Sequence, residues 1–333
     1  MKRRKSIKIA ALLIALIVFA VAIAAYRTYN AKVDAAQTTD IYIYPFTTYT
    51  ELRNDLHQKG IVNDIRLFDF YAKASGYNKR LKAGHYVVKP KMKIWKLIND
   101  LRHGNQQPVK LVIGKSRLSE DFANKVSSGL MFKPQELIAE MQKEGIVDSI
   151  FFFVVPNTYE VYWTISPADF ISRMKRESSK FWQSKSKQLE NFALNRYQII
   201  SLASIIEEET NKNDEKPIMA GVYINRLNKD MLLQADPTVK YALKNFMLKR
   251  IKGEHLKVSS PYNTYINKGL PPTPICLPSL ASINAVLNYV KHDYLFFCAK
   301  EDFSGYHNFA TNANQHELNR RLYIRELNKR GIK

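Results

Sequence analysis

The sequence predicts an α+β protein with an N-terminal anchor helix, a small α/β subdomain and a larger mixed α/β domain. Three observations predict this arrangement. A basic N-terminus precedes an unbroken apolar run, short β-branched segments then alternate with periodic apolar segments, and a longer, mainly helical region follows. With 333 residues, the chain is long enough for more than one hydrophobic core.

Composition narrows the class of protein. Hydrophobic residues make up 46% and charged residues 24% of the chain, which is typical of a globular protein and excludes a mostly disordered one. The two cysteines, Cys276 and Cys298, exclude a disulfide scaffold and a cysteine-rich zinc module. The formal net charge of +21 indicates anionic surroundings or an anionic partner, unless the lysines are simply solvated.

The N-terminus predicts a membrane anchor. Residues 1–8 form a basic tail, the apolar segment 9–26 is long enough as a helix to cross a bilayer, and residues 27–40 are polar like a stalk. We expect a single-pass protein of the cytoplasmic (inner) membrane, with its N-terminus in the cytoplasm and its larger part outside. A cleaved signal peptide is the alternative, because Ala22-Ile23-Ala24 fits a cleavage pattern.

Export changes what the positive charge implies. Outside the cytoplasm, a basic surface suits anionic lipid headgroups or the carboxylates of cell-wall peptides. No RNA-recognition signature or recognition-helix pattern accompanies the charge, so we expect no nucleic-acid partner.

Residues 41–108 predict a compact α/β subdomain, because apolar periodicity alternates there with glycine and capping signals. The predicted elements are a strand at 41–44, a helix at 50–60, a helix at 65–74, a strand at 85–89 and a helix at 92–101. A further strand at 109–113 opens the larger domain, residues 109–333, whose segment 116–190 is predicted to be mainly helical.

The most informative helix begins near Gln198 and ends in three glutamates. One face carries its apolar side chains, which are Ile199, Leu202, Ala203, Ile205 and Ile206. Ser204 and Glu208 fall on the opposite face and Glu207 at the edge, whereas the helical spacing projects Glu209 from the apolar stripe. Burial there would raise the pKa of the carboxyl group, as acid catalysis at a glycosidic bond requires. If the helix instead ends at Glu207, all three glutamates are solvated.

Two polar loops follow a helix predicted at 217–226. Asp236 precedes Pro237, a position typical of a helix cap. The tetrapeptide Tyr262-Asn263-Thr264-Tyr265 leads to the proline-rich segment 269–275, which predicts either a rigid groove wall or a plain linker.

In their order and spacing, these segments resemble the MltG/YceG-like family of endolytic murein (lytic) transglycosylases. The matching motifs lie at 203–207, 209–210, 220–227, 233–234, 236–239, 262–265, 269–275 and 293–297, and at His307, Phe309 and His316. Upstream, residues 81–86 resemble the LysM-like subdomain of the family. The resemblance therefore implies a LysM-like subdomain at 41–108 and a catalytic domain at 109–333, with the catalytic glutamate at a helix end.

The resemblance implies non-hydrolytic cleavage of MurNAc–GlcNAc β-1,4 bonds in nascent glycan strands near the membrane. The products would carry 1,6-anhydroMurNAc ends, and strand elongation would be limited. Glu209, directly before Thr210, stands at the catalytic position of the family. It would protonate the leaving oxygen and then, as a carboxylate, take the proton of the MurNAc 6-hydroxyl. No cofactor is implied, and peptidoglycan synthases (penicillin-binding proteins) are the expected protein partners.

Six further residues are candidate substrate contacts: Gln234, Asp236, Tyr262, Asn263, Thr264 and His307. For the loop residues, a hydrogen bond that closes the loop is the alternative role, whereas His307 matches a family position. The histidines at 255, 292, 307 and 316 lack metal-ligand spacing, so no metal is expected. We expect both cysteines to be buried thiols.

Three hypotheses remain open. A lytic transglycosylase depends on Glu209 alone. An inverting muramidase needs a second carboxylate, for which Asp236 is the candidate. A non-catalytic peptidoglycan-binding scaffold needs neither carboxylate.

Overall fold

The computed structural model describes residues 2–190, 192–248 and 251–331. Met1 and the side chains of residues 2–6, which include most of the predicted basic tail, lie outside the described part. The chain divides into two compact units. The first comprises Met1–Lys110 with Glu160–Ile165, and the second comprises Leu111–Tyr159 with Ser166–Lys333. The mixed α and β composition agrees with the predicted fold class.

The first unit combines helices with one antiparallel pair of strands. Its elements are α1 (Lys2–Asn30), β1 (Thr39–Ile43), α2 (Tyr49–Gln58), α3 (Ile65–Ala74), β2 (Gly84–Val88) and α4 (Ile94–His103). Strand β1 pairs with β2, and Ile41 lies opposite Tyr86. Alternation along β1 buries Ile41 and Ile43 against α2, α3 and α4, as expected for a sheet with one face in a core.

Helix α1 contains a span, Ile7–Asn30, that is long and apolar enough to cross a membrane, with none of it buried in the protein. It fits the predicted single-pass anchor, although the helix extends beyond the predicted 9–26 at both ends. The predicted stalk, 27–40, differs from the observed structure. Val33 and Ala35 are buried in the core of the first unit. These two small apolar side chains pack the otherwise polar segment against that core.

The second unit is mainly helical. Its elements begin with β3 (Val109–Ile113), α5 (Ser119–Ser127), α6 (Pro134–Lys143), β4 (Asn157–Val161), α7 (Pro167–Ser184), α8 (Ser186–Leu189) and α9 (Arg196–Glu209). They continue with α10 (Lys216–Asn228), α11 (Asp236–Ala242), α12 (Leu280–Leu287), β5 (Phe296–Ala299), β6 (His307–Ala310) and α13 (Ala313–Lys329). Strands β5 and β6 pair antiparallel, and the division between the units runs through β3 and β4.

Helix α9 lies at the centre of the second unit, packed by α10, α11 and α12. Every residue from 199 to 206 is buried, including Ser204 on the face opposite the apolar stripe. Its hydroxyl donates to the Ser201 carbonyl at 2.7 Å and accepts the Ile275 N–H at 3.0 Å. Surrounding helices cover the polar face, and these two hydrogen bonds make that burial tolerable.

Helix α10 packs closely against the segment before β5. A Cβ atom on Gly221 would lie 2.4 Å from the Val290 carbonyl oxygen and 2.6 Å from His292 Nε2. The contact is reinforced by a 2.9 Å hydrogen bond between His292 Nε2 and the Ile218 carbonyl. Only glycine permits this approach, which fixes the position of α10 against its neighbour.

Candidate active site

A cavity of about 400 Å³ opens in the second unit, at the C-terminal end of α9. Its walls come from α9, α10, the start of α11, β5 and β6. The lining residues are Glu209, Tyr223, Arg226, Leu233, Gln234, Asp236, Tyr265, Phe296, Phe297, Cys298, Ala299, His307 and His316. Polar and aromatic side chains therefore line one partly open cavity, as in many ligand-binding pockets.

The helix reaches the cavity because α9 continues through all three glutamates and ends at Glu209. The alternative in which the helix ends at Glu207 is therefore wrong. All three side chains are partly buried rather than solvated. Three adjacent carboxylates consequently need separate means of stabilisation, and each has a different one.

Glu207 lies in a polar cluster between α9, α10 and α12. One of its oxygens accepts from Ser279 Oγ at 2.6 Å, from Ser282 Oγ at 2.5 Å and from Lys216 Nζ at 3.2 Å. Burial works against ionisation, but the two hydroxyls and the Lys216 charge together hold the pKa of Glu207 below its usual value. Glu207 is therefore ionised, and its charge is stabilised by the two hydroxyl groups and by Lys216.

Glu208 forms ion pairs with the segment that precedes α5. Its carboxylate lies 2.7 Å from Lys115 Nζ and 2.8 Å from an Arg117 guanidinium nitrogen. These pairs hold the end of α9 to the chain ahead of α5, and they leave Glu208 with two cations of its own.

From the described residues, the Glu209 carboxyl group receives a single hydrogen bond, from Tyr223 Oη to its Oε1 at 2.7 Å. Among the described residues, no cation lies within ion-pair distance of it. Burial, helped by the negative charge of Asp236, raises the pKa of Glu209 to about 7, although the Tyr223 hydrogen bond and the Lys240 charge oppose the rise. Near neutral pH, roughly half of this carboxyl group is protonated.

Three of the six predicted contact residues, Gln234, Asp236 and His307, line the cavity. Gln234 has a left-handed backbone with φ of 51°. It is held there because its N–H donates to the Thr264 carbonyl at 3.1 Å and its Oε1 accepts from Arg226 at 3.2 Å. A strained residue in a cavity wall is typical of functional sites.

Asp236 differs from its predicted role as a helix cap. It is the first residue of α11, with Ala235 at the cap position, and its carboxylate makes no capping bond. Tyr265 Oη instead donates to Asp236 Oδ1 at 2.6 Å. The carboxylate is exposed in the wall of the cavity and is free to meet a ligand.

Tyr262, Asn263 and Thr264 are not among the lining residues. Tyr262 Oη pairs with Thr273 Oγ1 at 2.7 Å, and the fully buried Asn263 donates to the Leu256 and Val258 carbonyls. Thr264 Oγ1 accepts the Ala235 N–H at 3.0 Å. Thr264 therefore supports the loop that carries Gln234 and Asp236, whereas the hydrogen bonds of Tyr262 and Asn263 close their own loop.

Sequence reasoning missed several lining residues. Arg226 is only 7% exposed, and its guanidinium donates to the carbonyls of Leu232, Leu233 and Leu295, which ties two walls together. Tyr223 lies one helical turn before it on α10. Both occur in the motif at 220–227, but nothing in that motif indicates that either side chain faces Glu209 or the cavity.

His307 is held by Glu215, a second carboxylate that the sequence did not indicate. His307 Nδ1 lies 2.9 Å from Glu215 Oε2. The other sequence-selected histidines are elsewhere, except for His316, which also lines the cavity. In the described part of the chain, no group of three His, Cys, Asp or Glu side chains could hold a metal ion.

Both cysteines are free thiols. Cys276 is buried and its Sγ donates to the Ser204 carbonyl, in agreement with the prediction. Cys298 is only partly buried and lies in the cavity wall, which differs from the predicted full burial.

Comparison with known proteins adds independent findings. A model of the YceG-like family matches residues 41–322. An endolytic murein transglycosylase of Streptococcus pneumoniae (strain D39) is 27% identical over 306 residues, which cover 81% of this chain and 55% of the relative. The chain therefore spans about half the length of this curated relative.

Two further proteins match over most of their length. An endolytic murein transglycosylase of Bacillus subtilis is 24% identical over 322 residues, which cover 89% of this chain and 88% of the relative. A crystal structure of a yceG-like protein from Listeria monocytogenes has a TM-score of 0.51 and 27% identity, covering 85% of this chain and 99% of that one.

Proposed function

The chain belongs to the YceG-like family, and on that premise we propose that it is an endolytic murein lytic transglycosylase. It cleaves MurNAc–GlcNAc β-1,4 bonds in nascent glycan strands near the membrane. The products carry 1,6-anhydroMurNAc ends, and cleavage limits strand elongation. The names of the relatives from S. pneumoniae and B. subtilis support this activity class.

The observation that carries the proposal is the difference between Glu209 and the two glutamates before it. Glu207 and Glu208 have cationic partners, whereas Glu209 has a tyrosine hydroxyl and a pKa raised to about 7. A general acid works best when its pKa lies near the working pH, because it must both hold and release its proton. Glu209 meets that requirement.

The reaction uses the one carboxyl group twice. Protonated Glu209 gives its proton to the glycosidic oxygen as the bond to the anomeric carbon breaks. The carboxylate that remains, stabilised by the Tyr223 hydroxyl, takes the proton of the MurNAc 6-hydroxyl as that oxygen attacks the same carbon. An intramolecular nucleophile replaces water, so no second carboxylate is needed to activate it.

Three residues in the cavity wall are proposed as substrate contacts. Asp236 places a negative charge in the same volume, which suits the positive charge that develops on the sugar ring. Gln234 and His307 offer hydrogen bonds to sugar hydroxyl or acetamido groups. Direct contacts by Tyr262, Asn263 and Thr264 stay a prediction, and their hydrogen bonds support a positioning role.

A hydrolytic muramidase is the second candidate, and one observation favours it. Asp236 lines the same cavity as Glu209, and its charge raises the Glu209 pKa, so the two carboxyl groups influence each other. In an inverting glycosidase, the second carboxylate activates a water molecule, and the product has a reducing end.

The decisive experiment compares the full chain in detergent with its Glu209→Gln variant on uncrosslinked glycan strands, with product masses as the readout. Products about 18 Da lighter than hydrolysis products, formed only by the parent protein, support the transglycosylase. The matched control is Glu160→Gln, which replaces an exposed glutamate on β4. Reducing-end products would favour the muramidase. Glycan binding without cleavage by any of the proteins would favour a non-catalytic scaffold.

The location and partners of the activity are also proposals. The apolar helix α1 supports a single-pass anchor in the cytoplasmic membrane, with the second unit outside the cytoplasm. The first unit is proposed as a LysM-like module that contacts peptidoglycan, and peptidoglycan synthases are proposed as partners because they produce the nascent strand.

A further inference from the structure

We propose that Glu215 and His307 form a second functional pair that holds the attacking hydroxyl of the substrate. Glu215 fixes the imidazole so that its Nε2 lone pair faces the cavity. That lone pair accepts a hydrogen bond from the MurNAc 6-hydroxyl before attack. The inference rests on the proposed transglycosylase activity and adds to it a role for a residue pair outside the acid.

The geometry of the pair is well determined by hydrogen bonds. Glu215 precedes α10 and is only 5% exposed. One carboxylate oxygen accepts the His307 backbone N–H at 2.8 Å, and the other lies 2.9 Å from His307 Nδ1. Since both oxygens are used by the same residue, the backbone and the ring of His307 are held together.

The bond to Glu215 sets the tautomer of the imidazole. A carboxylate only accepts hydrogen bonds, so Nδ1 must carry the proton. In the neutral ring, Nε2 is then an acceptor with a free lone pair. Among the described residues, none forms a hydrogen bond with Nε2, and the ring lines the cavity that contains Glu209.

Aromatic packing places the pair near the acid. Phe297 meets the His307 ring edge-on with centroids 5.6 Å apart, and it meets the Tyr223 ring in the same way at 5.8 Å. Tyr223 is the residue that donates to Glu209. One phenylalanine therefore contacts both the partner of the acid and the proposed acceptor, and all three residues line the cavity.

The chemistry needs such an acceptor. At the start of the reaction Glu209 holds its proton for the leaving oxygen, so it is not yet a base for the attacking hydroxyl. An acceptor elsewhere must orient that hydroxyl so that its oxygen faces the anomeric carbon. His307 supplies it. When Glu209 has given up its proton, the hydroxyl proton passes to the Glu209 carboxylate, and His307 neither gains nor loses a proton over the cycle.

Two substitutions of His307 separate the two nitrogens. His307→Asn keeps a donor for Glu215 at the Nδ1 position and loses the acceptor at Nε2. His307→Gln places an amide oxygen near the Nε2 position and loses the bond to Glu215. We expect the Asn variant to lower kcat about 100-fold and to raise the share of hydrolysed, reducing-end products, because water replaces a poorly oriented hydroxyl. We expect the Gln variant to recover part of both.

The measurement is kcat, KM and product mass for the full chain in detergent on uncrosslinked glycan strands. His103→Asn, which replaces an exposed histidine of the first unit, is the matched control. Thermal unfolding of each variant checks that it folds. An Asn variant that folds and keeps kcat and the product ratio within about twofold overturns the proposal.

A second readout does not depend on activity. Imidazole ¹⁵N NMR of the parent protein should show His307 with a protonated Nδ1 and an unprotonated Nε2. The opposite tautomer overturns the proposal even if an Asn variant fails to fold. If the parent protein forms no anhydro product, the proposed function fails by itself, while the NMR result still tests the pair.

Discussion

Each unit of the molecule contains a histidine hydrogen-bonded to a carboxylate, His85 with Asp40 and His307 with Glu215, and the two pairs differ in how many ring nitrogens have partners. In the first unit, His85 Nε2 lies 2.8 Å from Asp40 Oδ1, and Nδ1 lies 2.9 Å from the Gln107 carbonyl. Both ring nitrogens therefore have partners. In the second unit, Glu215 contacts Nδ1 of His307, no described residue forms a hydrogen bond with Nε2, and the residue lines a cavity.

The two carboxylates also differ, in their exposure to solvent. The Asp40 side chain is 57% exposed, whereas the Glu215 side chain is only 6% exposed. Both oxygens of the buried Glu215 carboxylate contact His307, one at the backbone N–H and the other at Nδ1, so the carboxylate determines which ring nitrogen carries the proton. His85, with partners at both ring nitrogens, therefore has a structural role. His307, with a partner at Nδ1, can still accept a hydrogen bond from a ligand at Nε2.

The most direct test of the difference between the two pairs changes each carboxylate to an amide. Glu215→Gln puts an amide nitrogen against His307, which favours the tautomer with a protonated Nε2 and removes the acceptor. We expect turnover on uncrosslinked glycan to fall about 100-fold. Asp40→Asn, at an exposed side chain, should leave turnover within about twofold. Equal losses for both variants would show that the two pairs serve the fold alike.

The stability of the protein sharpens the contrast between partnered and unpartnered acids. The Glu209 pKa rises from 4.5 to about 7 on folding, so the folded protein binds this proton more tightly than the unfolded chain. Stability from this group is complete below the unfolded pKa and is lost as pH rises to about 7. Glu209→Gln removes that loss. It should therefore gain about 2 kcal/mol relative to the parent between about pH 5 and about pH 8.

Urea unfolding of both proteins in detergent at the two pH values measures this difference. The expected gain of about 2 kcal/mol is smaller than the full pKa shift would give, because the Glu209 side chain is only partly buried in the cavity wall. A pH-independent difference between the variant and the parent would mean that Glu209 is an ordinary ionised carboxylate.

A smaller effect distinguishes the charges around Glu209. The proposed reaction needs protonated Glu209, so kcat/KM should fall as pH rises past about 7. Asp236→Asn removes a charge that raises the Glu209 pKa, and this alkaline limb should move to lower pH. Lys240→Met removes a charge that lowers it, and the limb should move to higher pH, each by less than about one unit. A common shift in one direction would contradict the assignment of the acid.

Several elements in both units follow from local sequence patterns. The helix Ile65–Ala74 and the strand Val109–Ile113 have the predicted bounds, because apolar periodicity and flanking turn residues both act over a few positions. The placement of Glu209 on the apolar face of its helix could be predicted for the same reason, since the spacing along one helix relates it to Ile206 and Leu202.

What the sequence left hidden depends on distant contacts. Glu215 and His307 are 92 positions apart, and no local pattern relates them. Ser204 has a polar side chain on what periodicity marks as the outer face, and only the helices packed around α9 reveal that this face is covered. Asn263 and Gln234 are both polar loop residues, yet one satisfies buried carbonyls and the other faces the cavity.

Gly221 shows that sensitivity to mutation and contact with substrate need not coincide. It lies two residues before Tyr223 on α10, and its missing side chain lets the helix rest on the backbone at Val290. Any side chain there would push away the helix that carries the hydroxyl for Glu209. In a screen of random substitutions for lost cell-wall cleavage, a residue with no functional group would therefore be recovered alongside the acid itself.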